Sequence, residues 1–76
     1  MTLKDLLIES FALKESEYLD DQSLTQLEQF DSMNHMLFIT KLEDEFEIDL
    51  TGDEIADIST IGDVKKALSS KGVDNF

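Results

Sequence analysis

Residues 31–50 read DSMNHMLFITKLEDEFEIDL. Phe38 with Ile39, Leu42 and Phe46 recur at intervals of three to four, the period of one helix face. Met33, Met36 and Leu37 widen the apolar surface near the start. Asp31 or Ser32 supplies the N-cap, so the spacing predicts a helix over residues 32–46. The four residues after it, Glu47-Ile48-Asp49-Leu50, alternate polar and apolar. A strand there would have no partner, so an extended linker is expected, with Ile48 and Leu50 plugging the core. The acidic group Glu43-Asp44-Glu45 sits at the end of the helix that the macrodipole makes negative. Something other than local helix stability must account for it.

Toward the N-terminus, Leu3, Leu6, Leu7, Ile8 and Phe11 follow helical spacing, and Thr2 with Asp5 has capping-box spacing. A first helix is expected over about residues 3–14. Residues 15–31 carry Tyr18, Leu19, Leu24, Leu27 and Phe30 scattered among acids and amides. They read as a long ordered loop, pinned to the core, with a short helical turn near 24–27. Loops of this length inside a small domain are uncommon and often functional. Beyond the linker, Thr51-Gly52-Asp53 reads as a turn and cap. A short helix is expected over 53–58, with Ile55 and Ile58 inward. A last helix is expected over about 61–69, with Ile61, Val64 and Leu68 on its buried face and Thr60 with Asp63 as a second capping box. Residues 70–76 are expected to fray.

The chain has 76 residues, which bounds it to one domain with a thin core. It has no Cys and no Pro, and three Gly, which favours helices over a turn-rich β-domain and removes thiolate chemistry. Eighteen acidic residues against six basic give a net charge of −12. That charge repels nucleic-acid phosphates and anionic membranes, and attracts basic protein surfaces. No apolar run approaches the roughly 20 residues a membrane span needs. The N-terminus, interrupted by Asp5 and Glu9, does not read as a secretion signal. A soluble, monomeric cytoplasmic protein is the expectation.

The inventory of reactive groups is short. His35 is the sole histidine. A Ser32–His35–Asp31 catalytic set fails, because Asp31 is adjacent to Ser32 and cannot readily orient the far side of the imidazole. A calcium loop fails as well. Counting from Asp44 puts Phe46 and Ile48 at ligand positions, and counting from Asp49 puts Glu54 where the invariant Gly belongs. Ser32 stands apart. A hydroxyl at a helix start lies beside unpaired backbone N–H groups, a place that suits a phosphate; the structural alternative is a simple cap.

From Asp31 onward the chain resembles acyl carrier proteins and related phosphopantetheine-binding carrier domains. Asp31-Ser32-Met33 is similar to the family's Asp-Ser-Leu. Leu42-Glu43-Asp44-Glu45-Phe46-Glu47-Ile48-Asp49-Leu50 follows at ungapped spacing, and Ile58-Ser59-Thr60-Ile61-Gly62-Asp63-Val64 is similar to the family's Ile-x-Thr-Val-Gly-Asp. The resemblance implies an all-α four-helix bundle with a short third helix. It implies 4′-phosphopantetheine attached to Ser32 by a separate phosphopantetheinyl transferase, with Asp31 supporting the attachment. Met33, Met36, Glu43 and Asp44 are the implied partner-facing residues, the acids steering acyl-transfer or adenylating enzymes with basic patches. The chain itself would not be catalytic; its sulfur would be imported. Glu28 and Gln29 before Phe30, Leu37 in place of an acid, Thr51 in place of Pro, and His35 depart from the housekeeping pattern and point to a specialised pathway. A carrier for aminoacyl or other groups loaded by an adenylating ligase is the alternative, and an acidic helical adaptor without cofactor is the rival from another class.

Overall fold

The computed structural model describes residues 2–76. Among them the chain forms four α-helices, α1 (Leu3–Phe11), α2 (Ser32–Phe46), α3 (Gly52–Asp57) and α4 (Ile61–Ser70), with no strand. The all-α bundle with a short third helix is as expected. The capping boxes at Thr2/Asp5 and Thr60/Asp63 are both formed, and a third, Thr51 with Glu54, opens α3. Each box satisfies two backbone N–H groups that the first turn leaves unpaired.

α1 ends three residues earlier than its apolar spacing predicts. Ala12 adopts the left-handed conformation (φ 54°) and donates its N–H to the Ile8 carbonyl. This reversal sends Leu13 into the core, where it is buried. Ile8, expected on the buried side, is 38% exposed and lies outside it. α3 begins at Gly52, one residue early, and Ile58 becomes its C-cap; Ile58 is buried and Ile55 packs partly against the core, as expected.

α1 and α2 pack against each other, and Leu3, Leu6, Leu7 and Phe11 meet Phe38, Ile39 and Leu42 in one cluster with Val64 and Leu68 of α4. The long segment between α1 and α2 contains two 3₁₀ turns, Glu15–Glu17 and Leu24–Gln26. It is tied to the head of α4 by backbone bonds. Leu24 donates to the Ser59 carbonyl at 2.9 Å, Ile61 to Gln22 at 3.1 Å and Gly62 to Asp20 at 2.8 Å. The loop thus accepts from first-turn N–H groups of α4 that have no partner within the helix. Lys65 adds an ion pair to Asp20 at 2.6 Å, its ammonium 4.9 Å from the Tyr18 ring centroid.

The close approach needs a residue without a side chain. A Cβ on Gly62 would lie 2.8 Å from the Asp20 carbonyl oxygen. Gly62→Ala should therefore lose about 1–3 kcal/mol to overpacking, against a gain in helix propensity of up to about 1 kcal/mol. A lower urea midpoint is expected. An unchanged or raised midpoint would mean the loop shifts away at no cost.

α2 is closed by Glu47 in the left-handed conformation (φ 54°), with Ile48 donating to the Glu43 carbonyl at 3.0 Å. The Glu43 carboxylate accepts from the Leu50 N–H at 2.8 Å. This acid holds the linker in place, which accounts for part of the unfavourable charge at the helix end. Ile48 and Leu50 pack against the core. Against the expectation of a frayed tail, Val73 donates to the Leu68 carbonyl at 3.0 Å and Gly72 (φ 87°) to Ser69 at 3.1 Å. That pair of bonds is a Schellman cap, and Val73 and Phe76 rest on the core.

Candidate functional site

Of the two cap residues the sequence leaves open at the head of α2, the structure uses Asp31. Its backbone is extended (φ −153°, ψ 173°) and its Oδ1 accepts from the Asn34 N–H at 2.6 Å. Asn34 returns its side-chain amide to the Gln29 carbonyl at 2.7 Å. These two bonds brace the chain on both sides of Ser32. Ser32 is the first helical residue, exposed, and its hydroxyl has no hydrogen-bond partner among the described residues. The bracing role of Asn34 goes unnoticed in the sequence, although an Asp followed three residues later by the residue whose N–H it caps is a readable pattern.

Behind the site runs a chain of rings. Phe38 lies 5.4 Å from Phe11, Phe11 stacks on Phe30 at 6.0 Å, and Phe30 meets His35 at 5.5 Å. Phe30 and His35 are half-buried. His35 is thus a packing residue, and the Asp31 carboxylate serves the cap and not the imidazole, so no catalytic triad forms here.

Burial disfavours the imidazolium and holds the His35 pKa below its usual 6.5. A depressed folded-state pKa gives stability that is present above the unfolded value and lost as pH falls through the folded one. The melting temperature should therefore decline as pH drops from about 7 through the His35 titration. His35→Gln should flatten the decline within that window, and a decline equally steep in the variant would exclude His35 as its source. Asp63 and Glu54, whose carboxyls backbone N–H bonds hold below their usual range, act at more acid pH.

The other expected site residues share one helix. Met33 is 74% exposed, and Met36 and Leu37 about half exposed, so Met36 is no part of the core. Leu37 belongs with the two methionines in this apolar patch, a residue the sequence places on the helix without singling it out as a site. Asp44 is exposed, whereas Glu43 is half-buried against the linker. At 1.5 Å per residue, Asp44 lies roughly 18 Å along α2 from Ser32. A cavity of about 280 Å³ opens between α3 and α4, lined by Glu54, Asp57, Ile58, Asp63, Lys66 and Ala67 among others, and includes none of these site residues.

A covalently tethered phosphate group fits the head of α2. An exposed primary hydroxyl is available there, no group among the described residues bonds to it, and Asp31 Oδ1 and the Asn34 side-chain amide beside it are engaged in the cap and its brace. No helix among the described residues is long and apolar enough to cross a membrane. Comparison with curated proteins finds no match. Among solved structures, a protein of Mycobacterium tuberculosis assigned as an acyl carrier protein (Rv0033) superposes with a TM-score of 0.80, at 26% identity, over 91% of this chain and 92% of the other. The family described as phosphopantetheine attachment site matches residues 2–68. A shared fold alone would leave function open, but the sequence agreement runs through all four helices, and the chain belongs to this family of carrier domains, whose covalently held group is 4′-phosphopantetheine.

Proposed function

We propose that this protein is an acyl carrier that bears 4′-phosphopantetheine on Ser32 and presents acyl groups to partner enzymes. The observation that carries the proposal is the exposed, unengaged Ser32 hydroxyl at the first position of α2, directly after the Asp31 cap. The similarity to Rv0033 supports acyl groups as the cargo. When bound, the prosthetic group supplies a terminal thiol that this cysteine-free chain lacks, and with it thioester chemistry.

The chain's own residues have separate tasks. Ser32 Oγ forms the bond to phosphorus and gives its proton to a base on the transferase, while the pyrophosphate linkage of coenzyme A breaks and its nucleotide half departs. Asp31 and Asn34 fix the backbone that presents the hydroxyl. Met33, Met36 and Leu37 give a partner an adaptable apolar surface beside the attachment point. Asp44, with the outer face of Glu43, steers basic partners by charge, an effect that weakens with salt. The chain performs no catalysis itself.

The test is direct. The protein is incubated with coenzyme A and a broad-specificity phosphopantetheinyl transferase, weighed, and mapped by peptide. A gain of one phosphopantetheinyl group on Ser32 is expected. No gain, or a gain on another residue, would sink the proposal. Loading with fatty acids by an acyl ligase, in preference to amino acids, is the expected second result.

A further inference from the structure

We propose that His35 is the positioning residue for the phosphodiester on Ser32, its imidazolium donating an N–H to a phosphate oxygen and so directing the arm as it leaves α2. This inference rests on the attachment reading given above.

Ser32 and His35 are three residues apart in one helix, which brings their Cβ atoms to about 5–6 Å. A phosphate on Ser32 Oγ extends from the same face. The ring nitrogens of His35 have no hydrogen-bond partner among the described residues. The ring is nevertheless held: Phe30 packs against it at 5.5 Å, and Phe30 is itself stacked on Phe11. A half-buried imidazole with a fixed face and unused nitrogens is an unusual element beside an exposed hydroxyl.

The polar side chains beside it are engaged in the cap and its brace. The Asp31 carboxylate accepts from the Asn34 N–H, and the Asn34 amide donates to Gln29. The basic residues of the chain are all Lys. Within α2 the one Lys is Lys41, which lies nine residues beyond Ser32 and is paired with Glu9 of α1 at 2.9 Å. His35 is therefore the one group in the first two turns of α2 able to carry positive charge.

The ring's surroundings set the sign. Phe30 from the preceding loop and Phe11 of α1 behind it are apolar. Asp31, the N-cap residue one turn before the ring, has its Oδ1 on the Asn34 N–H, and among the described residues no ion pair reaches the ring. Burial keeps the unmodified imidazole neutral near neutrality. A phosphodiester is anionic throughout the physiological range, and a nearby opposite charge favours the protonated ring. Attachment thus shifts the ring toward its protonated form.

The experiment follows the His35 ring protons by NMR through a pH titration of the unmodified and modified protein, with mass spectrometry recording attachment. The titration midpoint should rise by about one pH unit on modification, and the phosphorus resonance of the phosphodiester should titrate with the same midpoint. His35→Gln, modified to the same extent, should lose that phosphorus titration. Modification of Ser32 with an unmoved His35 midpoint would overturn this inference and leave the attachment reading standing. Absence of modification on Ser32 would overturn both.

Discussion

Ser32→Ala should take up no phosphopantetheine and yet melt within about 4 °C of the parent protein, because exposed substitutions away from caps and core typically cost under about 0.5 kcal/mol. The two results separate two roles that a serine at a helix start can hold. Here the cap is Asp31, whose Oδ1 receives the Asn34 N–H at 2.6 Å, and the Ser32 hydroxyl makes no hydrogen bond among the described residues. The complementary variant is Asp31→Ala. It retains the hydroxyl but loses the cap, at about 1 kcal/mol, or roughly 4–8 °C for a domain of this size. Loading should slow as the turn before Ser32 loosens. Asp31→Asn keeps a good cap without the charge, so it should recover both the melting temperature and most of the loading rate. Slow loading of Asp31→Asn despite a native melt would show that the transferase reads the carboxylate itself. A large loss of stability in Ser32→Ala would show that the hydroxyl is structural after all.

The sequence made the helices and the serine at the head of α2 legible because both are local. The spacing of Phe38, Leu42 and Phe46, and the capping pairs Thr2/Asp5 and Thr60/Asp63, involve residues that meet within one or two turns. What it did not disclose comes from groups without a sequence signal of their own. The loop is pinned through the carbonyls of Asp20, Gln22 and Ser59, which every residue type possesses. Only Gly62, a glycine inside a helical pattern, hinted at that contact. The early end of α1 falls on Ala12, a residue type that gives no warning of a left-handed turn. The cap at the tail was readable, since Gly72 follows the last apolar position of α4 at the distance a Schellman motif requires. The Glu43 carboxylate could be placed as acidic and near the helix end, but its bond to Leu50 depends on how the linker folds back.

Phe38→Ala should cost about 3–5 kcal/mol, the range for removing a buried aromatic ring. The total stability of a 76-residue domain is of order 4–11 kcal/mol, at roughly 0.05–0.15 kcal/mol per residue. The variant thus loses from roughly a quarter to all of its stability, which a urea titration will show as a midpoint reduced by about a quarter or more, or as no transition at all. Phe38 is fully buried and lies 5.4 Å from Phe11, so its removal opens a void between α1 and α2, the helices whose contact forms the centre of the core. The void also lies next to the site. Phe11 supports Phe30, and Phe30 supports the His35 ring one turn from Ser32. Phe38→Leu refills most of the volume and should cost far less, so it should load normally while Phe38→Ala loads poorly. Phe30→Leu, at the half-buried end of the same ring chain, should have a smaller effect on the urea midpoint than Phe38→Ala but should loosen His35. A midpoint for Phe38→Ala close to that of the parent would mean that the surrounding leucines collapse into the gap, and that the ring chain is not what sets the position of the α2 head.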